Sequence, residues 1–146
     1  MAPFKIFVQY LSNLSFTSPM APALFFKKDT KANINVKLDV KTQQSDENTF
    51  LVSLSSVIEN KLEGDKDTAT IFTLKIEYNA VIQIDGSITE EEDRKKILLV
   101  YVPTTIFPAF RQQISDITTA SGYPQFNMEI VDFESMYTKN RQQKND

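Results

Sequence analysis

The sequence predicts an α+β domain: a four-stranded antiparallel sheet with helices packed on one face. Three observations predict it. Up to Ile84 the chain holds four runs rich in β-formers, and the clearest of them alternate apolar and polar residues. From Thr89 onward the apolar spacing lengthens to that of a helix. Proline, glycine and aspartate punctuate the chain between these runs.

The elements follow in order. Phe4–Leu11 is rich in β-formers and predicts the first strand. Ser18–Phe26 carries Pro19 and Pro22, which exclude a central strand and predict an extended crossing loop. That loop is unusually apolar, with Leu24, Phe25 and Phe26 at its end. Ile34–Lys41 alternates without a fault, so the second strand has one wet and one dry face. Phe50–Ile58 is the third strand, and Glu63–Asp67 reads as a hairpin turn. The fourth strand spans about Thr70 to Ile84, and its length predicts a bend or break near Asn79-Ala80. Phe72, Leu74, Ile76, Tyr78, Ala80, Ile82 and Ile84 share one face; Thr73, Lys75, Glu77, Asn79 and Gln83 share the other, with Val81 out of pattern.

Thr89-Glu90-Glu91-Glu92 matches a capping box, with Thr89 as N-cap and Glu92 reaching back. The apolar run Ile97–Val102 is expected to stop at Pro103. A second helix is expected from about Thr104 to Ala120, carrying Ile106, Phe110, Ile114 and Ile117 on one stripe. Pro108 fits its first turn and Gly122 its C-terminal cap. A last helix begins at Asp132 as N-cap and presents Phe133, Met136 and Tyr137 on one stripe. Residues 1–138 form the expected domain, and the polar segment 139–146 reads as a disordered tail.

Composition narrows the function classes. The chain has 146 residues, no Cys and no His. It therefore has no Cys nucleophile, no Ser-His-Asp triad and no imidazole base. A metal site would have to be built of oxygen donors alone. The net charge of −3 argues against nucleic acid and against an anionic membrane surface. No run approaches the ~20 apolar residues of a membrane span. The apolar start is broken by Gln9, Ser12 and Asn13, unlike a signal peptide, which predicts a cytoplasmic protein.

The charged clusters read as solvated surface. Glu90, Glu91, Glu92 and Asp93 point in different directions from a helix. Glu63, Asp65 and Asp67 lack the spacing and closing glutamate of a calcium loop. Gly64, Gly86 and Gly122 are isolated, so no glycine-rich phosphate loop exists. The apolar features allow two readings. Taken singly, Leu24, Phe25, Phe26 and the Phe133-Met136-Tyr137 stripe read as core. Taken together, they read as two walls of a groove suited to varied apolar ligands.

Four segments carry a family resemblance. They are Tyr10–Phe16 with Pro19-Met20-Ala21-Pro22; Val36–Val40; Tyr101–Arg111; and Gly122–Met128 followed by Val131-Asp132-Phe133. In this order they resemble the SecB export chaperones. The resemblance implies a homotetramer, a dimer of dimers, that needs no cofactor and performs no enzymatic chemistry. It implies a cytosolic holdase that binds unfolded precursor proteins and delivers them to SecA at the Sec translocon. The implied groove residues are Leu24, Phe25, Phe26, Leu38, Val40, Phe72, Phe133, Met136 and Tyr137. Leu74, Ile76, Tyr78, Phe110, Ile114 and Ile117 are assigned to packing and subunit contacts. The family's SecA-facing acids map to Asn13, Thr17 and Lys75, none acidic, with Glu77 nearby, so long-range attraction from this face is expected to be weaker. Two alternatives keep the fold: a SecB-like chaperone dedicated to an antitoxin, and an oligomeric scaffold without chaperone activity.

Overall fold

The computed structural model describes residues 3–26, 31–63 and 69–145, with side chains as far as residue 140. Four strands form one sheet: β1 (Phe4–Thr17), β2 (Ala32–Gln44), β3 (Thr49–Leu62) and β4 (Thr70–Ile84). The sheet is antiparallel and ordered β1-β4-β3-β2, so β1 and β2 are its two edges. Three helices follow: α1 (Glu91–Lys96), α2 (Val102–Ala120) and α3 (Phe133–Asn145). The α+β architecture expected from the change of period is present.

The chain packs as two compact units. The first comprises the described residues of Met1–Tyr10, Val40–Leu54 and Tyr78–Asp146; the second, those of Leu11–Asp39 and Ser55–Glu77. In the first unit the α2 stripe Val102, Ile106, Phe110 and Ile114 is fully buried. Phe107 joins it to α3, meeting Phe133 edge-on at 5.7 Å between ring centroids. In the second unit Ile58, Ile71, Phe72, Leu74 and Ile76 are buried, and Phe72 stacks on Phe16 at 5.1 Å.

Several elements depart from expectation. β1 and β3 run further than expected, to Thr17 and Leu62. β4 is continuous through Asn79-Ala80 and not broken there. Asn79 is buried, not wet, and its amide donates to the Tyr10 hydroxyl at 3.3 Å. The face of β2 expected to be dry is half in water: Ile34 and Val36 are exposed, and Leu38 and Val40 half-buried. β2 is an edge strand, with a neighbour on one side only. Of the Glu63–Asp67 turn, residues 64–67 lie outside the described residues.

The crossing segment is not extended throughout. Pro22, with its preset φ, opens a short 3-10 turn over Ala23–Phe26. The Phe25 N–H donates to the Pro22 carbonyl, and the Leu24 N–H to that of Met20.

The expected capping box does not form. The N-cap is Glu90, with no side-chain cap bond. Glu92 instead accepts from the Tyr137 hydroxyl at 2.9 Å. Arg94 secures the start of α1, donating from Nε to the Ile88 carbonyl and from Nη1 to that of Glu47.

Pro103 does not stop the apolar run. Ile97–Tyr101 makes a π-helical turn, in which the Val102 N–H reaches back to Ile97, and α2 then starts with Pro103 as its second residue. The wider turn takes up a position where proline supplies no donor. Thr104 and Thr105 hydroxyls donate to the Val100 and Tyr101 carbonyls at 2.6 and 2.7 Å. Because α2 begins at Val102, Pro108 lies inside the helix and not in its first turn.

The other two predicted caps, Gly122 and Asp132, are present. Gly122 has a φ of 86°, and the Tyr123 and Gly122 N–H groups close on the Thr118 and Thr119 carbonyls. The Asp132 carboxylate accepts from the Ser135 N–H and hydroxyl at 3.1 and 2.8 Å. The backbone of α3 continues to Asn145, into the segment read as a tail. No Gly or Pro interrupts that segment.

Candidate functional site

The nine groove candidates divide between the units. Leu24, Phe25, Phe26, Leu38 and Phe72 belong to the second; Val40, Phe133, Met136 and Tyr137 belong to the first. In the second unit the 3-10 turn sets the side chains of consecutive residues in opposite environments. Leu24 is buried at 7% exposure, while Phe25 is 49% and Phe26 82% exposed. Exposing aromatic rings costs free energy unless something covers them. Leu38 is half-buried, and Phe72 is buried against Phe16.

In the first unit Phe133 is buried against Phe107, and Met136 and Tyr137, three and four residues on, are half-buried on the same stripe. Two surface contacts tie α3 to α1. Tyr137 donates to Glu92, and Lys96 pairs with Glu134 at 3.3 Å. The hydrogen bond to Glu134 and the neighbouring Tyr101 hold the Lys96 ammonium above its usual range. Asp132 sits below the usual carboxylate range, because the Ser135 side chain and backbone donate to its charged form. Leu24, Phe72 and Phe133 are therefore core, and the surface candidates are Phe25, Phe26, Leu38, Val40, Met136 and Tyr137.

The residues assigned to packing and subunit contacts resolve the same way. Leu74, Ile76, Tyr78, Phe110 and Ile114 are buried inside the chain, at 7% exposure or less, and Ile117 is half-buried. Those five pack inside the chain. The exposed apolar side chains lie elsewhere: Phe7, Val8, Tyr10 and Leu11 on β1, Ile34 and Val36 on β2, Tyr101, and Ile130. β1 carried the signal in its sequence. Phe7 and Val8 are adjacent, as are Tyr10 and Leu11, so apolar side chains leave both faces of one strand.

Asn13, Thr17, Lys75 and Glu77 all belong to the second unit. Asn13, Thr17 and Lys75 are exposed and Glu77 is half-buried. The Glu77 carboxylate accepts from the Ser12 hydroxyl at 2.6 Å. Lys75 makes no ion pair among the described residues. Among the described residues, no three Asp or Glu side chains gather to hold a metal ion, and no helix is long and apolar enough to cross a membrane.

The fold and this distribution of surface define the class: an α+β protein whose crossing turn and sheet edges present apolar side chains to the outside. Comparison with known proteins then gives the family. The model of the family described as preprotein translocase subunit SecB matches residues 1–144, and the chain belongs to that family. It is 30% identical to the protein-export protein SecB of Desulfotalea psychrophila over 141 residues, covering 97% of this chain and 88% of that protein. It is 27% identical to the SecB of Granulibacter bethesdensis, with 97% and 84% covered. The fold is similar to that of a SecB-like chaperone from Mycobacterium tuberculosis, determined in complex with an antitoxin peptide. There the TM-score is 0.67 and the identity 14%, covering 88% of this chain and 91% of that one.

Proposed function

We propose that the chain is a cytosolic export chaperone that holds unfolded precursor proteins and delivers them to SecA. One observation carries the holding step: Phe25 and Phe26 stand exposed on a turn held by backbone hydrogen bonds. Apolar segments of an unfolded client that cover such rings are stabilised by roughly 25 cal/mol per Å² of apolar surface buried. The contact is non-directional, so selection is for unfolded chains and not for one sequence. Binding the unfolded state draws the client away from folding. Within the second unit Leu38 extends this surface and buried Leu24 and Phe72 support it; in the first unit Val40, Met136 and Tyr137, with buried Phe133, offer clients a further apolar surface. No nucleotide or metal is required, and no bond is made or broken.

The active form is a homotetramer, a dimer of dimers. The exposed apolar residues of edge strand β1 support self-association, because an uncovered apolar edge is a liability in a monomer. SecA docks on the face bearing Asn13, Thr17, Lys75 and Glu77. With one acid there, that encounter depends weakly on salt.

The test is suppression of aggregation of a chemically unfolded substrate. The Phe26→Ser variant is expected to lose much of the suppression while keeping its melting temperature, since that ring is 82% exposed. Suppression equal to wild type would remove this turn from the site. Binding of a single antitoxin, with no binding of export precursors, would favour the dedicated-chaperone alternative.

A further inference from the structure

In the first unit a cavity of about 450 Å³ lies between α2 and the segment leading into α3. That volume is within the range of small-ligand sites, roughly 300–1,000 Å³. Phe107, Pro108, Ile130, Val131 and Phe133 form its apolar walls, and Ile130 is 82% exposed at its edge. Its polar lining is Thr104, Arg111, Gln112, Ser115 and Asn127.

Arg111 and Asn127 in this lining donate no side-chain hydrogen bond among the described residues. The half-buried Arg111 guanidinium makes no hydrogen bond or ion pair among the described residues. The Asn127 side-chain oxygen accepts from Gln125 at 3.2 Å, which leaves its N–H₂ group unengaged among the described residues. The other polar side chains each make a hydrogen bond. Gln112 donates to Asp116, the Ser115 hydroxyl accepts from Gln125, and Thr104 donates to Val100. Among the described residues of the lining, Arg111 is the one that carries a charge. Asp132, on the same segment, is spent on its cap with Ser135.

A lone guanidinium beside a free amide, set against apolar walls, matches a carboxylate attached to an apolar body. In a polypeptide one place has both on a single residue: a C-terminus ending in an apolar side chain. An internal Asp or Glu offers the charge without the apolar group. We propose that this cavity binds the C-terminal carboxylate of an extended polypeptide whose last residue is apolar. The site gives a client a chain-end anchor in the first unit, and it rests on the proposed holding function for the source of its ligand.

The experiment uses one fluorescein-labelled peptide, ending in Leu-Phe, made as the free acid and as the C-terminal amide. Anisotropy titration of the full chain is expected to show the acid binding about tenfold more tightly than the amide. The difference should shrink as salt rises. Arg111→Gln is expected to abolish the preference and Arg111→Lys to keep part of it. The Asn127 side-chain resonances should shift with the acid alone. Equal affinity of acid and amide for wild type overturns the proposal whatever the variants do. So does a preference that survives Arg111→Gln. A peptide amide ending in Leu-Glu that competes as well as the free acid assigns the cavity to acidic side chains and overturns the chain-end assignment. If wild type suppresses aggregation but does not distinguish acid from amide, the anchor fails and the holding function stands. If it distinguishes them without suppressing aggregation, the reverse holds.

Discussion

Arg94 shows how much order one side chain imposes. Its guanidinium donates to the carbonyls of Ile88 and Glu47 and to the Asn48 side chain, and it lies 5.9 Å from the Phe50 ring. One residue of α1 thus fastens the chain entering the helix to the β2–β3 connection. Asp132 acts at a single point in a different way. Its folded-state pKa is depressed by donors from Ser135, so the stability it contributes is present above its unfolded value, near 3.8. That stability is lost as pH falls through the lower, folded value. Asp132→Ala is expected to lower the melting temperature at pH 7, and the gap from wild type should close as pH falls below that range. Thermal melts across pH 2–7 check this, and a constant gap would show that the carboxylate charge is not what caps α3.

At the scale of elements, the helical run from Glu91 to Ala120 is continuous only because a π turn absorbs Pro103. Its far end depends on one backbone conformation. Gly122 at φ 86° lets Gly122 and Tyr123 satisfy the last carbonyls of α2. A Cβ there is strained by about 1 kcal/mol. Gly122→Ala is expected to lower the unfolding free energy by about that amount, read from the urea midpoint with an unchanged slope. A neutral effect would mean that the turn relaxes without loss.

At the scale of the whole molecule, the uncovered apolar residues lie largely on the two edge strands and the crossing turn. The two sets are separable by experiment, because Val8 and Leu11 lie on β1 while Phe25 and Phe26 lie on the turn. Lysines on an exposed edge oppose pairing with another chain. The Val8→Lys, Leu11→Lys variant is expected to sediment as a smaller species than wild type while keeping its far-UV circular dichroism. An unchanged sedimentation coefficient would place the subunit contact away from β1. The turn variant should keep the wild-type mass and lose client holding, so each surface is judged by its own readout.

Local features were legible in the sequence. The change of period before Thr89, the αL glycine at 122 and the Asp132 cap depend on residues a few positions apart, and the structure has all three. The fold class followed from the change of period, the family resemblance from four short segments, and the apolar character of the crossing segment from its residues. Tertiary structure decided what competed and what was covered. Glu92 was as able to close a capping box as to bond Tyr137, and only packing brings Tyr137 within 2.9 Å of it. Ile34 and Ile76 both sit in alternating strands, yet one is 44% exposed and the other 2%. β2 is an edge strand and β4 lies between β1 and β3, and strand order is a long-range property. The same reasoning separates Phe26 from Phe72: both are apolar in sequence, but only the three-dimensional arrangement leaves Phe26 uncovered for a partner.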